Sequence, residues 1–333
     1  MTIKTDLTRR SFMKSAAAGA GAVAVPMALT GCGADDDNDS TTASDSNLVV
    51  AFGHGVASGD PLHDRVIIWT RVTPSVDDAT AQKTVPVDWK VATDAAMNTV
   101  VASGSIQTTS AVDYTVKIDA DGLSADTTYY YQFTGPLAVK TVVGQTKTLP
   151  VGTVDSVKLA VCSCANYPAG YFNAYDAIGK SDADVVVHLG DYIYEYAVGE
   201  YGTTANTIDQ GRNHSPEKEI WTLADYRQRY GQYRQDGLLQ GAHQVKPFIC
   251  VWDDHELAND TYKSGAANHT EGDEGTFEDR RTAAFQAYHE WLPIRTGSDV
   301  ANIYRNFKFG ELVSMNMMDT RHIARDAPLS FEQ

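Results

Sequence analysis

Three stretches of this chain carry side chains able to do chemistry, and each closes a short apolar run. Val185, Val186 and Val187 climb into His188 and Leu189; Gly190 turns the chain, Asp191 follows, and Tyr194 comes three residues later. An aspartate there can bridge two cations, and the tyrosine can offer a phenolate to the harder one. Leu159 to Cys162 runs into Ser163, Cys164, Ala165 and Asn166, which offers a thiolate. Phe248 to Trp252 stops in Asp253, Asp254, His255 and Glu256: two carboxylates, an imidazole and a third carboxylate. Any one of these reads equally well as a buried strand ending in a capping or surface residue. Three together, separated by helix-length segments, are what a metal-centred α/β hydrolase needs at the carboxyl edge of a parallel sheet.

In this order the motifs resemble the PhoD-type alkaline phosphatases and phosphodiesterases, metallophosphatases related to the purple acid phosphatases. The resemblance runs from about Val50 to the end of the chain. It is carried by Ser163-Cys164-Ala165-Asn166-Tyr167 with Gly170-Tyr171-Phe172, and by His188-Leu189-Gly190-Asp191-Tyr192-Ile193-Tyr194-Glu195. Trp252-Asp253-Asp254-His255-Glu256 and Asp319-Thr320-Arg321 complete the set. It implies hydrolysis of phosphate mono- and diesters at a centre of one Fe³⁺ and one or two Ca²⁺. Iron would sit between Cys164, Asp191 and Tyr194, while calcium shares Asp191 and takes Asp254. The ligand types agree, since thiolate and phenolate suit a polarising transition metal and carboxylate or amide oxygens suit calcium. Asn259 or Asp260 would complete a calcium shell or hydrogen-bond the phosphoryl oxygen. His255 falls where the wider superfamily places a histidine that contacts the phosphate or protonates the leaving group. The resemblance thus makes Asp191 and His255 the catalytic residues, and His255 and Asn259 substrate contacts. Arg212, with Asn213 and His214, lies in a long Gly-, Thr- and Asn-rich segment from Tyr196 to Glu219 that reads as a loop over the site. Arg212 is a candidate substrate contact there, and a solvated loop residue is the other reading.

Related enzymes draw further Asp and His ligands from beyond the Asp-Thr-Arg motif, whereas this sequence stops at Gln333 with no closing strand. The expectation is a chain incomplete at its C-terminus. Two competing functions deserve a test. A non-catalytic lipoprotein, binding a partner or glycan beside a remnant domain, would be expected to have lost at least one ligand. A zinc nuclease would lean on several histidines rather than on a thiolate and a phenolate.

These groups need a scaffold. A chain of 333 residues with 43% hydrophobic content suffices for two domains with real cores. Its formal net charge of −16 argues against a nucleic-acid-binding surface, and an acidic protein acting on phosphate esters must supply positive charge locally. The expected fold class is α+β with two domains: a fibronectin-like β-sandwich over residues 48–150, then an α/β metallophosphatase domain of the four-layer αββα type over 151–333. Arg65–Thr70, Val85–Val91 and Tyr114–Ile118 read as half-buried strands. The run Leu123–Phe133 resembles the tyrosine corner of such sandwiches, with Tyr129 bonding back to the backbone. Gly53–Asp60 reads as turn and strand edge, because no helix follows to make a phosphate loop. In the second domain Tyr171–Ile178, Thr222–Gln240 and Glu278–Leu292 read as helices, with His289 a packing residue. Tyr304–Phe309 and Leu312–Met317 read as a hairpin leading to Asp319.

The first 32 residues are set aside as an export signal. Thr8-Arg9-Arg10-Ser11-Phe12-Met13-Lys14 fits the twin-arginine pattern, and the Ala/Gly/Val-rich run from Ser15 to Gly31 is too short to span a membrane. Leu29-Thr30-Gly31-Cys32 resembles a lipobox, which would make Cys32 the lipidated first residue; an ordinary signal with a chance cysteine is the alternative. Residues 33–47 are a polar tether. The expected protein is a monomer handled by the twin-arginine translocase and lipid-anchored in the periplasm or at the cell surface. Of the other cysteines, Cys162 and Cys164 are too close along one strand to bridge without strain. Cys250 reads as a small buried hydrophobe, with a Cys162–Cys250 bridge between adjacent strands left open. Cys164, at its strand's end, goes to metal.

Overall fold

Alternation of apolar and polar residues builds the first part of the chain from strands. The computed structural model describes residues 48–205 and 209–329, so the signal, Cys32 and the tether lie outside the described residues. The strands are β1 (Val50–Ala51), β2 (Val56–Gly59), β3 (Val66–Arg71), β4 (Thr73–Pro74), β5 (Val85–Ala92), β6 (Val100–Thr108), β7 (Thr115–Ala120), β8 (Thr128–Thr134) and β9 (Gly144–Lys147). A short helix α1 (Val76–Thr80) follows β4. The second part holds β10 (Leu159–Cys162), α2 (Asn173–Lys180), β11 (Val185–His188), α3 (Leu223–Arg234), α4 (Gly237–Val245), β12 (Pro247–Cys250) and α5 (Phe277–Trp291). A hairpin of β13 (Arg305–Phe309) and β14 (Val313–Met317) comes last. Among the described residues no helix is long and apolar enough to cross a membrane.

Strands β6-β5-β8-β9 form an antiparallel sheet, and β10-β11-β12-β2-β3-β7 form a mixed one. The larger sheet crosses the boundary expected near Pro150: Pro247 and Phe248 of β12 pair in parallel with Ser58 and Gly59 of β2. That boundary divides the sequence, not the sheet. The reading of Gly53–Asp60 as turn and strand holds, with a turn at Gly53 and His54 before β2, but β2 is interior rather than an edge, all four residues being buried between β12 and β3. Its last turn is fastened by Arg305, whose guanidinium donates to both Asp60 oxygens at 2.9 and 2.7 Å. Val56, Val66, Ile68 and Val116 pack with Val87, Val91, Tyr131 and Phe133 in one core. Tyr129 accepts the Ser124 N–H at 2.8 Å, the back-bond expected of it.

A second core gathers around the parallel strands, with Val186, Val187, Phe248 and Ile249 against Tyr226, Tyr230 and Tyr288. Thr222 opens α3 with a reciprocal capping box to Asp225. The single helix expected over Thr222–Gln240 is broken instead at Gln235 and Asp236. The Asp236 carboxylate accepts from Leu238 N at 2.9 Å and Leu239 N at 3.2 Å, which starts a new helix rather than continuing the old one. His289 is a packing residue, bonded to Thr296 Oγ1 at 3.1 Å and the Val300 carbonyl at 2.9 Å. The Cys162–Cys250 bridge is overturned. Both cysteines pair in register with His188, one on each side of β11, so β10 and β12 are not neighbours. At about 4.8 Å per strand their Cα atoms lie beyond disulfide reach, and both thiols are free.

Candidate metal centre

Cys162, His188 and Cys250 stand side by side at the ends of β10, β11 and β12, so the three chemical stretches leave the sheet at one level. The loops then interlock. Leu189 N donates to Cys162 O at 2.9 Å, Cys164 N to Gly190 O at 3.1 Å and Ala165 N to Asp191 O at 2.8 Å. Cys164 and Asp191 both hold left-handed backbone, with φ of 59° and 55°, a strained state that clusters at functional sites. Gly190, at φ +105°, lies against the third loop, where a Cβ would meet Asp253 N at 2.3 Å. Glu256 braces that junction, accepting from Asp191 N at 3.1 Å, Tyr192 N at 2.6 Å and Asp253 N at 2.9 Å.

The result is a convergence of donors. One ligand atom from each of Asp191, Asp254 and His255 lies within 4.8 Å of the others. The Tyr194 hydroxyl donates to Asp191 Oδ2 at 3.2 Å, and the Cys164 thiol approaches the same oxygen at 3.5 Å. Asp191 Oδ1 is buried with no hydrogen-bond partner. Burial, opposed by His255 and reinforced by Asp253, lifts the Asp191 carboxyl above its ordinary range. Burial lifts Asp254 likewise, against the pull of His255, the Asp260 N–H and Arg321. The Tyr194 phenol is raised well above the usual value by burial and by Asp191 and Cys164. Anionic donors crowded this way resist ionising beside one another, and a cation reverses that preference. An orphaned carboxylate oxygen among a thiol, a phenol, a second carboxylate and an imidazole fits a metal ion.

His255 is held from behind. Its Nδ1 meets Glu195 Oε2 at 2.8 Å, which leaves Nε2 as its other nitrogen. Glu195 Oε1 also accepts from Asn259 N at 2.7 Å and Asn268 Nδ2 at 2.8 Å. Burial works against charge on His255, but Glu195, Asp191 and Asp254 outweigh it and raise the imidazole to about 9. Burial also raises Glu256, to about 8, with Asp191 adding to the shift.

Of the residues expected at the site, Cys164, Asp191, Tyr194, Asp254 and His255 come together. Asn259 is tied beside them through its backbone N–H on Glu195. Asp260, the alternative to Asn259, donates its N–H to Asp254 Oδ2 at 2.5 Å and turns its carboxylate to Arg321 and Arg325. Arg212 is a correction. It is buried, forks between Asp236 Oδ2 at 3.1 Å and the Tyr167 carbonyl at 3.0 Å, and lies 3.8 Å over the Tyr167 ring. Those contacts make it a brace of the loop rather than a solvated or substrate-facing group. Glu195 and Arg321 carried no role in the residue order, and Glu256, offered there as a third carboxylate donor, instead accepts three backbone N–H groups. Glu195 meets its histidine across 60 positions, and no local spacing signals that. Arg321 forks Asp253 at 2.6 and 3.1 Å and reaches Asp254 Oδ1 at 3.3 Å. It thereby engages both tandem carboxylates, Asp253 through two hydrogen bonds and Asp254 through one oxygen, while an Asp254 oxygen still lies within 4.8 Å of Asp191.

Fold and site together define the class: an α+β protein with a candidate metal centre at the carboxyl ends of parallel strands. Comparison with known proteins places it more closely. Residues 159–333 match the PhoD-like phosphatase family and residues 39–150 the N-terminal domain of PhoD-like phosphatases, so the chain belongs to the PhoD-like phosphatase family. Residues 6–26 match the twin-arginine translocation pathway signal sequence, which marks the chain for export. Alkaline phosphatase D of Bacillus subtilis (strain 168) is 40% identical over 284 residues, covering 83% of this chain and 47% of that protein. A solved structure of PhoD superposes with a TM-score of 0.72 at 37% identity, covering 83% of this chain and 53% of that one. The chain thus spans about half the length of these relatives.

Proposed function

We propose that this protein hydrolyses phosphate mono- and diesters at an Fe³⁺–Ca²⁺ centre. The observation that carries the reading is the convergence of Asp191, Asp254 and His255 within 4.8 Å, with Cys164 and Tyr194 gathered on Asp191. Iron would be held by Cys164 Sγ, the Tyr194 oxygen and Asp191; one or two calcium ions would share Asp191 and take Asp254, with Asn259 nearby. Bound there, such ions would supply positive charge to the phosphoryl group and Lewis-acid activation of water. The chain's own residues do the rest. Glu195 fixes Nδ1 of His255, so Nε2 is the nitrogen that passes a proton to the departing alkoxide. The Glu195 carboxylate on Nδ1 favours the protonated imidazole that this step needs. Arg321 holds Asp253, and Gly190 with Glu256 sets the distance between the Asp191 and Asp254 loops.

We read the β6-β5-β8-β9 sheet, facing β2, β3 and β7 of the larger sheet, as a fibronectin-like sandwich and the second part as belonging to a four-layer αββα domain. The protein would be exported, lipidated at Cys32 and tethered as a monomer in the periplasm or at the cell surface. No observation favours the non-catalytic lipoprotein. The test is hydrolysis of phenyl phosphate and bis-aryl phosphate by the metal-loaded protein, with iron and calcium counted by mass spectrometry. Asp191→Asn should lose both metals and activity, and Cys164→Ser should lose iron. Undiminished turnover in His255→Asn would remove the proton-transfer role, and a metal-free protein of full activity would remove the centre.

A further inference from the structure

A tight turn projects one exposed aromatic ring beside the candidate centre. Gly199 and Gly202 hold φ of +93° and +83° on either side of Glu200 and Tyr201, and Thr203 N donates to Glu200 O at 3.1 Å. The turn is pinned at its base by Ala197 N on Glu200 Oε2 at 3.0 Å and Val198 N on Glu217 O at 2.8 Å. Its tip rests on the Cys164 loop so closely that a Cβ on Gly202 would meet Asn166 Oδ1 at 2.4 Å. Tyr201 is therefore a positioned ring, and yet it is 61% exposed.

The ring belongs to a cluster of near-parallel rings. Tyr194 lies 4.2 Å from His255 with planes 29° apart, and Tyr201 lies 5.9 Å from Tyr194 at 27°. Tyr201 and His255 are within 5° of parallel at 6.5 Å. Tyr196 flanks both, 5.5 Å from Tyr201 and 5.6 Å from His255. We propose that Tyr201, with Tyr196, forms the subsite for the alcohol portion of the ester, and that it takes a planar aromatic ring. This rests on the phosphoester-hydrolase reading and adds the substrate class to it. A flat partner adds by offset stacking to the exposed Tyr201 ring, in the plane direction it shares with Tyr194 and His255. An ester oxygen next to His255 puts the first few atoms of its alcohol within reach of Tyr201.

The test compares the exported full chain with Tyr201→Ala and Tyr201→Phe. One readout is the ratio of kcat/KM for phenyl phosphate over glycerol 3-phosphate. The other, independent of turnover, is the affinity ratio of phenylphosphonate over methylphosphonate by calorimetry. Tyr201→Ala should lower both ratios about three- to tenfold, the range offset stacking provides, and Tyr201→Phe should keep them. Circular-dichroism melting confirms that each variant is folded. Ratios unchanged in folded Tyr201→Ala overturn the subsite while leaving the hydrolase reading intact. A selective loss on phosphocholine instead of phenyl phosphate overturns the planar occupant. A wild-type protein that hydrolyses neither ester and binds neither phosphonate removes the hydrolase reading and this inference with it.

Discussion

Replacing Gly190 by alanine should separate the site from the fold. Its φ of +105° is one that side chains rarely adopt, a cost of about 1–3 kcal/mol. The added Cβ would stand 2.3 Å from Asp253 N, 2.6 Å from Asp253 Cβ and 2.8 Å from the Trp252 carbonyl carbon. Ordinary contact begins near 3.4 Å, so backbone must retreat by about 1.1 Å. That movement pulls Asp253 N from Glu256 and carries Asp254 away from Asp191, since both aspartates ride on the displaced loop. A displacement of about 1 Å at a reacting constellation costs on the order of 100-fold in rate, and strain plus clash together should exceed about 4 kcal/mol of stability. The control is Gly152→Ala, at φ +68° with nothing within 4 Å of the new Cβ. It should cost about 1–2 kcal/mol, a few degrees of melting temperature, and no metal affinity. Calorimetric metal titration and thermal melting on both variants decide the matter. If Gly190→Ala binds metal like the wild type and melts with Gly152→Ala, the junction does not set the carboxylate spacing.

In metal-free protein Glu195→Gln should bring the His255 pKa down from about 9, because the amide keeps an acceptor for Nδ1 but removes the negative charge that helps outweigh its burial; an NMR titration reads this directly. The sign follows from linkage: the raised pKa stabilises the fold fully below about 6.5, and that stability is lost as pH rises through about 9, so the variant should lose stability near neutrality and little above pH 9. Arg321→Ala should raise the Asp254 carboxyl further by removing one of the groups that lower it, free Asp253 to compete for the ion, and weaken calcium binding about tenfold, the usual size of an outer-shell loss. Burial lowers His54, His188, His214 and His289 to about 3, so each stabilises the fold fully above about 6.5 and loses that contribution as pH falls toward 3. Each should lose on the order of 2 kcal/mol between pH 6.5 and 5, and urea midpoints at the two pH values should fall accordingly; equal midpoints would contradict neutral burial.

What could be read from residue order alone was whatever local rules govern. Alternation in Val85–Val91, the uninterrupted apolar runs before Cys164, Asp191 and Asp253, and the pairing of Tyr304–Phe309 with Leu312–Met317 are short-range patterns, and each became the strand expected; Arg65–Thr70, read as half-buried, became a strand buried from Val66 to Thr70 because β2 and β7 flank it within the larger sheet. The donor types at three strand ends were legible for the same reason, and parallel strands ending at one level bring them together. Contacts between distant residues were not legible. Residue order could not put β2 inside the second domain's sheet, because that pairing joins Phe248 to Gly59 with no local mark on either. Nor could it set β11 between Cys162 and Cys250 or turn Arg212 onto Asp236. Sequence therefore determined which chemistry the chain carries. Only tertiary structure decided which atoms meet, since a buried charge settles where packing supplies its partner.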